Sequence, residues 1–174
     1  TAATTNGNYA IRRYTDGLTV FSAGQRINRV DWSKPVWISC RIAGSVASPV
    51  DANARCRFTF GKLSTDNAGD LPRRGFGFTV AGGASIQATA HDGTTLTTGT
   101  NGTVALGNTA IDIVVHSDGL GNVTVYSDGV SGATCTGAPS SGTSDSSVLQ
   151  LEVHNVSTAS AQSVVSASNI CLRL

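Results

Sequence analysis

Methionine is absent from this 174-residue chain, glutamate occurs once, as Glu152, and lysine only twice. With Thr1 at its start and no methionine, the chain reads as a mature product from which initiator and leader have been removed. No segment repeats helix-forming residues at a 3.6-residue spacing, which excludes a helical architecture. No apolar run approaches the roughly 20 residues that a membrane-spanning helix requires. Cys-x-x-Cys pairs are missing, which argues against zinc, and no G-x-S-x-G elbow, phosphate loop or dinucleotide fingerprint supports esterase or nucleotide chemistry. The basic residues are mostly scattered arginines with no lysine-rich run or aromatic–basic module, so nucleic acid is not an expected partner.

What the chain does have is 20 glycines and many Thr, Ser and Val residues. That composition fits an all-β protein with many turns, long enough as one domain, 1–174, to close a two-layer core. The clearest signal is 111–138, IDIVVHSDGLGNVTVYSDGVSGATCTGA, where three alternating segments are separated by two Ser-Asp-Gly turns. Asp-Gly supplies the left-handed backbone of a tight hairpin. Similar alternation puts Val36, Ile38, Cys40 and Ile42 on one strand face and Trp37, Ser39 and Arg41 on the other. The next strand places Cys56, Phe58 and Phe60 opposite Arg55, Arg57 and Thr59. An opening hairpin joins Tyr9–Tyr14 to Leu18–Ser22, and further strands are read at 75–80, 84–91, 94–97, 149–154 and 168–174, with 98–110 as a Gly, Asn and Thr rich stretch holding a short 104–106 segment. The twelve to fourteen strands so counted, about twice the mode for one sheet, call for two packed antiparallel sheets.

Four cysteines, Cys40, Cys56, Cys135 and Cys171, suit two disulfides in an oxidising compartment. Because Cys40 and Cys56 share the apolar faces of consecutive strands, Cys40–Cys56 with Cys135–Cys171 is the simplest of three connectivities. Sequons at Asn101, Asn122 and Asn155 agree with a secretory route and an extracellular location. The net charge of +1 conceals a division: residues 1–75 hold eleven of the twelve Lys and Arg against five acids, and 76–174 hold Arg173 against six. Interleaved strands that neutralise one another explain this, and so does a basic face for an anionic partner.

His91-Asp92-Gly93-Thr94-Thr95-Leu96, Asp112 to Gly119, and Val123 to Gly129 resemble concanavalin A-like jelly rolls of the laminin-G-like kind, over residues 35–174. The resemblance implies a sandwich of two curved sheets that binds carbohydrate on a concave face or along one edge. It includes lectins, glycoside hydrolases, polysaccharide lyases and adhesion modules, and the fold alone does not choose among them.

Hydrolysis by paired carboxylates is disfavoured by the single glutamate, since Asp16, Asp66, Asp92, Asp118 and Asp128 sit in turns and only Asp112 is strand-borne. Lyase chemistry needs a partner for a uronate carboxylate together with a base and an acid. Arg41, Arg55, Arg57, Gln87, His91, Tyr126, Gln150 and His154 supply those residue types, although a Q-I-H phrase is missing. A ligand groove is expected from Trp37, Arg41, Arg55, Arg57, Gln87, His91, Gln150, Glu152 and His154, combining an aromatic platform with planar polar groups. Trp32 is assigned to cover the end of the sandwich. No metal site is expected from the dispersed His91, His116 and His154, and no cofactor is required. Calcium is left open at Asp118, Asn122 and Asp128, which the turns alone also explain. The resulting expectation is a secreted glycan-binding module, for an acidic carbohydrate in the sharper reading. A carbohydrate-active enzyme and a non-catalytic adhesion module are the alternatives, with oligomeric state open.

Overall fold

A computed structural model describes residues 9–14, 30–44, 54–62, 74–81, 85–144, 147–155 and 165–174. Among these residues there are thirteen strands and no helix. A six-stranded antiparallel sheet runs in the order β1 (Tyr9–Tyr14), β12 (Ser147–Asn155), β4 (Ala54–Lys62), β5 (Arg74–Ala81), β6 (Ser85–His91) and β7 (Leu96–Ala105). A five-stranded sheet runs β10 (Val130–Thr136), β9 (Asn122–Ser127), β8 (Ile111–Ser117), β3 (Val36–Gly44) and β13 (Val165–Arg173). Short β2 (Val30–Asp31) and β11 (Thr143–Ser144) pair separately.

Strict alternation builds the sandwich. Phe58 and Phe60 face Phe78 and Phe76 in register, with ring centroids 5.7 and 6.3 Å apart, while Ile38, Ile42, Ile113, Val115, Val123 and Val125 fill the same core from the other sheet. Trp32, 1% exposed, lies in this core against Phe60 and Phe76. Each fully buried Phe or Ile contributes about 1.5–3 kcal/mol of transfer free energy. At one margin β7 crosses β10, where a side chain on Gly99 would strike the Thr134 carbonyl.

The Ser-Asp-Gly segments form the hairpins expected of them. Asp128 (φ 49°) and Gly129 (φ 81°) both adopt the left-handed backbone of a type I′ turn between β9 and β10. Before β9, Asp118 Oδ1 accepts from the Leu120 and Asn122 amides at 2.7 and 3.0 Å. Two expectations change. Residues 96–105 form one continuous strand rather than two fragments, carried by β-branched threonines and broken only by register shifts against β6. β1 pairs with β12, and the expected hairpin partner Leu18–Ser22 lies outside the described residues.

The second change concerns the disulfides. All four cysteines are thiols, Cys40, Cys56 and Cys135 buried and Cys171 exposed. Cys135 on β10 and Cys171 on β13 sit on opposite edge strands, four spacings of about 4.8 Å apart, whereas a bridge requires Cα atoms within about 7 Å. Cys40 and Cys56 face the common core from different sheets. Burial, reinforced by Asp112 for Cys40 and by Cys40 and Glu152 for Cys56, pushes each thiol up to about 12.

Candidate functional site

The outer face of the six-stranded sheet carries a grid of mostly polar residue positions set by strand register. One row reads Glu152, Arg57, Thr79, Gln87, Asn101 across β12, β4, β5, β6 and β7. The next reads Gln150, Thr59, Gly77, Thr89, Thr98. His154 stands opposite Arg55 in the ladder, and His91 lies between Gly75 and Leu96, one row beyond Thr89. The side chain of His154 lies outside the described set.

This face is not an open polar surface. Arg57 (3% exposed), Thr59, Thr79, Thr89, Gln150 and Glu152 are all buried. A groove of about 280 Å³ opens among Arg55, Arg57, Thr79, Gln87, Thr89, Leu96 and Thr98. Arg57 Nη1 lies 3.9 Å from Glu152 Oε1, and Gln150 Nε2 donates to Glu152 Oε2 at 3.1 Å. The single glutamate is therefore a buried counter-charge beside Arg57. Arg55 is half-buried and forms no ion pair with any described residue, so it carries the groove's uncompensated positive charge. Thr79 Oγ1 donates to the Cys56 carbonyl and Thr89 Oγ1 to the Thr97 carbonyl, at 3.2 and 3.3 Å. With the hydroxyl protons so committed, the oxygens remain as acceptors for donors brought by a ligand. Leu96, 45% exposed, adds an apolar contact at the rim.

Arg55, Arg57, Gln87, His91, Gln150, Glu152 and the register position of His154 thus share one face. Trp37, Arg41 and Tyr126 do not: β3 and β9 belong to the other sheet, so these residues lie on the far side of the sandwich. There Trp37, 38% exposed, stacks on His116 at 3.6 Å and 15°, and Arg41 pairs with Asp112 at 3.3 Å. Burial holds the His116 imidazole below its ordinary range, against the upward pull of Asp118. Sequence reasoning missed Thr79 and Thr89 as lining residues, although each alternates with core positions on a strand already read, and it missed Leu96 and Thr98, which flank the Thr97 at which it ended the strand. It also missed His116 as the partner of Trp37, because the pairing joins residues far apart in the chain.

The calcium trio is likewise dispersed. Asp118 and Asn122 sit at one end of β9 and Asp128 at the other, about 20 Å apart along a six-residue strand. Asp118 Oδ2 is taken by the Asn122 amide at 2.6 Å, and Asp128 Oδ1 accepts from the Asp112 amide at 2.8 Å. Among the described residues no three His, Cys, Asp or Glu side chains converge on a metal-sized space.

No family model and no curated protein matches the chain. Among solved structures it is similar to the carbohydrate-binding module CBM66 from Bacillus subtilis, at 8% identity and a TM-score of 0.52 over 84% of this chain and 77% of that one. An alginate lyase from Corynebacterium sp. is similar at 17% identity and a TM-score of 0.53, over 88% of this chain and 65% of the lyase. The botulinum neurotoxin serotype C1 binding domain is similar at 11% identity and a TM-score of 0.56, over 95% of this chain but only 37% of that domain. At such identities the likeness establishes the concanavalin A-like jelly-roll fold, as the residue pattern implied, and nothing finer.

Proposed function

We propose that this chain is a secreted glycan-binding module whose groove on the six-stranded sheet holds an acidic carbohydrate without cleaving it. The observation that carries the reading is the groove itself, where Arg55 and Arg57 flank Gln87 and two acceptor threonines. A planar carboxylate matches a guanidinium fork, and the sugar hydroxyls find Gln87, Thr79 and Thr89. In a face this buried, a charge-assisted contact is screened far less than at an open surface. The similar carbohydrate-binding module and alginate lyase support carbohydrate as the ligand class. Binding fits the described lining of Arg, Thr, Gln and Leu, while His91 and the register position of His154 share the face, so cleavage is tested directly.

Affinity electrophoresis against polyuronates and against neutral polymers tests this. Retention by polyuronate, weakened at least tenfold by Arg55→Ala, is expected. Absence of retention by any polyuronate overturns the binding reading. Release of unsaturated uronate, followed by its ultraviolet absorbance, overturns the non-catalytic one.

A further inference from the structure

We infer a second carbohydrate site on the opposite sheet, a track for a neutral polysaccharide that does not depend on the anion-binding reading. Its spine is one register row across the outer face of the five-stranded sheet: Arg173, Trp37, His116, Thr124, Thr134 on β13, β3, β8, β9 and β10. Thr124 and Thr134 then line a groove of about 560 Å³ that reaches over the sandwich margin to Thr97, Thr98 and Thr100 on β7. Five strands at about 4.8 Å spacing make the row about 19 Å long, which fits a stretch of polymer rather than a terminal sugar.

The chemistry changes along the track from ring to hydroxyl. Trp37 is backed by the His116 imidazole at 3.6 Å and 15°, which fixes the indole before any ligand arrives and spares the ordering cost of binding. Its remaining exposed surface, beside half-buried Val114 and Tyr126 in the next row, offers the apolar contact that a sugar ring's C–H face requires. Beyond His116 the groove lining is threonine, glycine, valine, cysteine and Asn122, whose amide is already held by Asp118. Among the described residues no charged side chain lines this groove, so a carboxylate or sulfate entering it would lose water without gaining a counter-charge from them. Of the neighbouring charges, Arg41 is paired with Asp112, Asp118 is held by hydrogen bonds from Asn122 and the Leu120 amide, and Arg173 stands next to Trp37 at the end of the row. Gly99 keeps the two sheets close beneath the groove, since a Cβ there would come within 3.0 Å of Cys135 Cβ as well as meeting the Thr134 backbone.

The two tryptophans make the test direct. Trp32 is 1% exposed and Trp37 38%, so shielding from acrylamide quenching by added polymer reports on Trp37. Protein produced without N-glycans at the Asn122 sequon is titrated with soluble β-glucan, xylan, mannan and dextran, and with polyuronate. At least one neutral polymer is expected to shield Trp37. Its retention in affinity gels should fall at least tenfold in Trp37→Ala and in Thr134→Arg, a change at an exposed position that leaves the indole in place. Arg55→Ala should leave neutral-polymer retention unchanged while reducing that of polyuronate. Failure of all neutral polymers to shield Trp37, or equal retention of Thr134→Arg and the parent, overturns the proposal. So does a dimer, seen by light scattering, that Trp37→Ala dissociates, because the occupant would then be a second copy of the chain.

Discussion

Replacing Glu152 by glutamine should separate the two roles that the buried ion pair combines. The carboxylate lies 3.9 Å from Arg57 Nη1, with the two side chains 1% and 4% exposed. At that separation and an effective dielectric constant of about 20, the attraction is about 4 kcal/mol. Removing one partner of a buried pair commonly costs about 3–5 kcal/mol, because the remaining charge stays desolvated. Glutamine preserves shape and an acceptor for the Gln150 amide, so we expect a loss near the lower end, about 3 kcal/mol. For a chain of this length that lowers Tm by roughly 6–12 °C, and against a typical stability of about 5–15 kcal/mol the variant still folds. The same change removes the Glu152 charge that competes for Arg57 at the edge of the groove, so binding of polyuronate should tighten while stability falls. Urea unfolding followed by Trp32 fluorescence, alongside polyuronate titration, measures both. The double change Arg57→Met with Glu152→Leu should recover most of the stability, since removing both charges removes the desolvation, and should weaken polyuronate binding. The reasoning fails if Glu152→Gln lies within about 0.5 kcal/mol of the parent, or if the double variant is no more stable than the single one.

Other outcomes follow from single contacts. His116 sits below its ordinary range through burial, so its folded pKa lies under that of the unfolded chain; its contribution to stability is intact above pH 6.5 and is lost as pH falls through the folded value. Protonated imidazole quenches a stacked indole, so Trp37 emission should drop on acidification with a midpoint below 6.5 and lose that response in His116→Gln; a midpoint at or above 6.5 contradicts the burial of His116, and an unchanged response in His116→Gln contradicts the stack. Burial pushes Asp118 up, but hydrogen bonds from Asn122 and the Leu120 amide outweigh it and hold the carboxyl below the usual range. Its stabilisation is therefore present above the unfolded value and lost as acid titrates the folded group, and Asp118→Ala should cost about 1 kcal/mol in urea unfolding at neutral pH and little at pH 2. With no disulfide present, a thiol reagent should label Cys171 alone in the native protein and all four cysteines in urea, because Cys40 and Cys56 are raised to about 12 and Cys135 to about 11 by burial. Native labelling of none, or four blocked thiols after unfolding, would restore the bridges.

The strand faces were legible because each is written in a two-residue period. Cys56, Phe58 and Phe60 point inward and Arg55 and Arg57 outward, and the structure keeps that assignment. What the period does not carry is the sheet to which a strand belongs. β3 and β4 are consecutive and equally amphipathic, yet β3 pairs with β8 and β13 while β4 pairs with β12 and β5. Those partners are chosen by non-local register, so reading Trp37 and Arg41 into one groove with Arg55 and Arg57 assumed a neighbourhood that sequence proximity does not supply. The expected Cys135–Cys171 bridge failed for the same reason, both residues being well placed on their strands and wrongly placed relative to each other.

The same division bears on the uneven charge of the two halves. Arg41 meets Asp112 and Arg57 meets Glu152, each a basic residue from the first half beside an acid from the second. Interleaving of strands therefore cancels part of the asymmetry, as simple neutralisation requires. It does not cancel all of it, because Arg55 lines the groove with no ion pair to a described residue. A protein that needed only to balance its halves would gain nothing by keeping a guanidinium beside Gln87 in a half-buried cleft, where desolvation works against the charge. On the proposed reading an incoming anion would offset that cost, whereas the threonine groove at the β7–β10 margin, which shares Thr98 with the first, has no charged lining among the described residues. The two proposals thus assign ligands of different charge to two grooves that meet at Thr98.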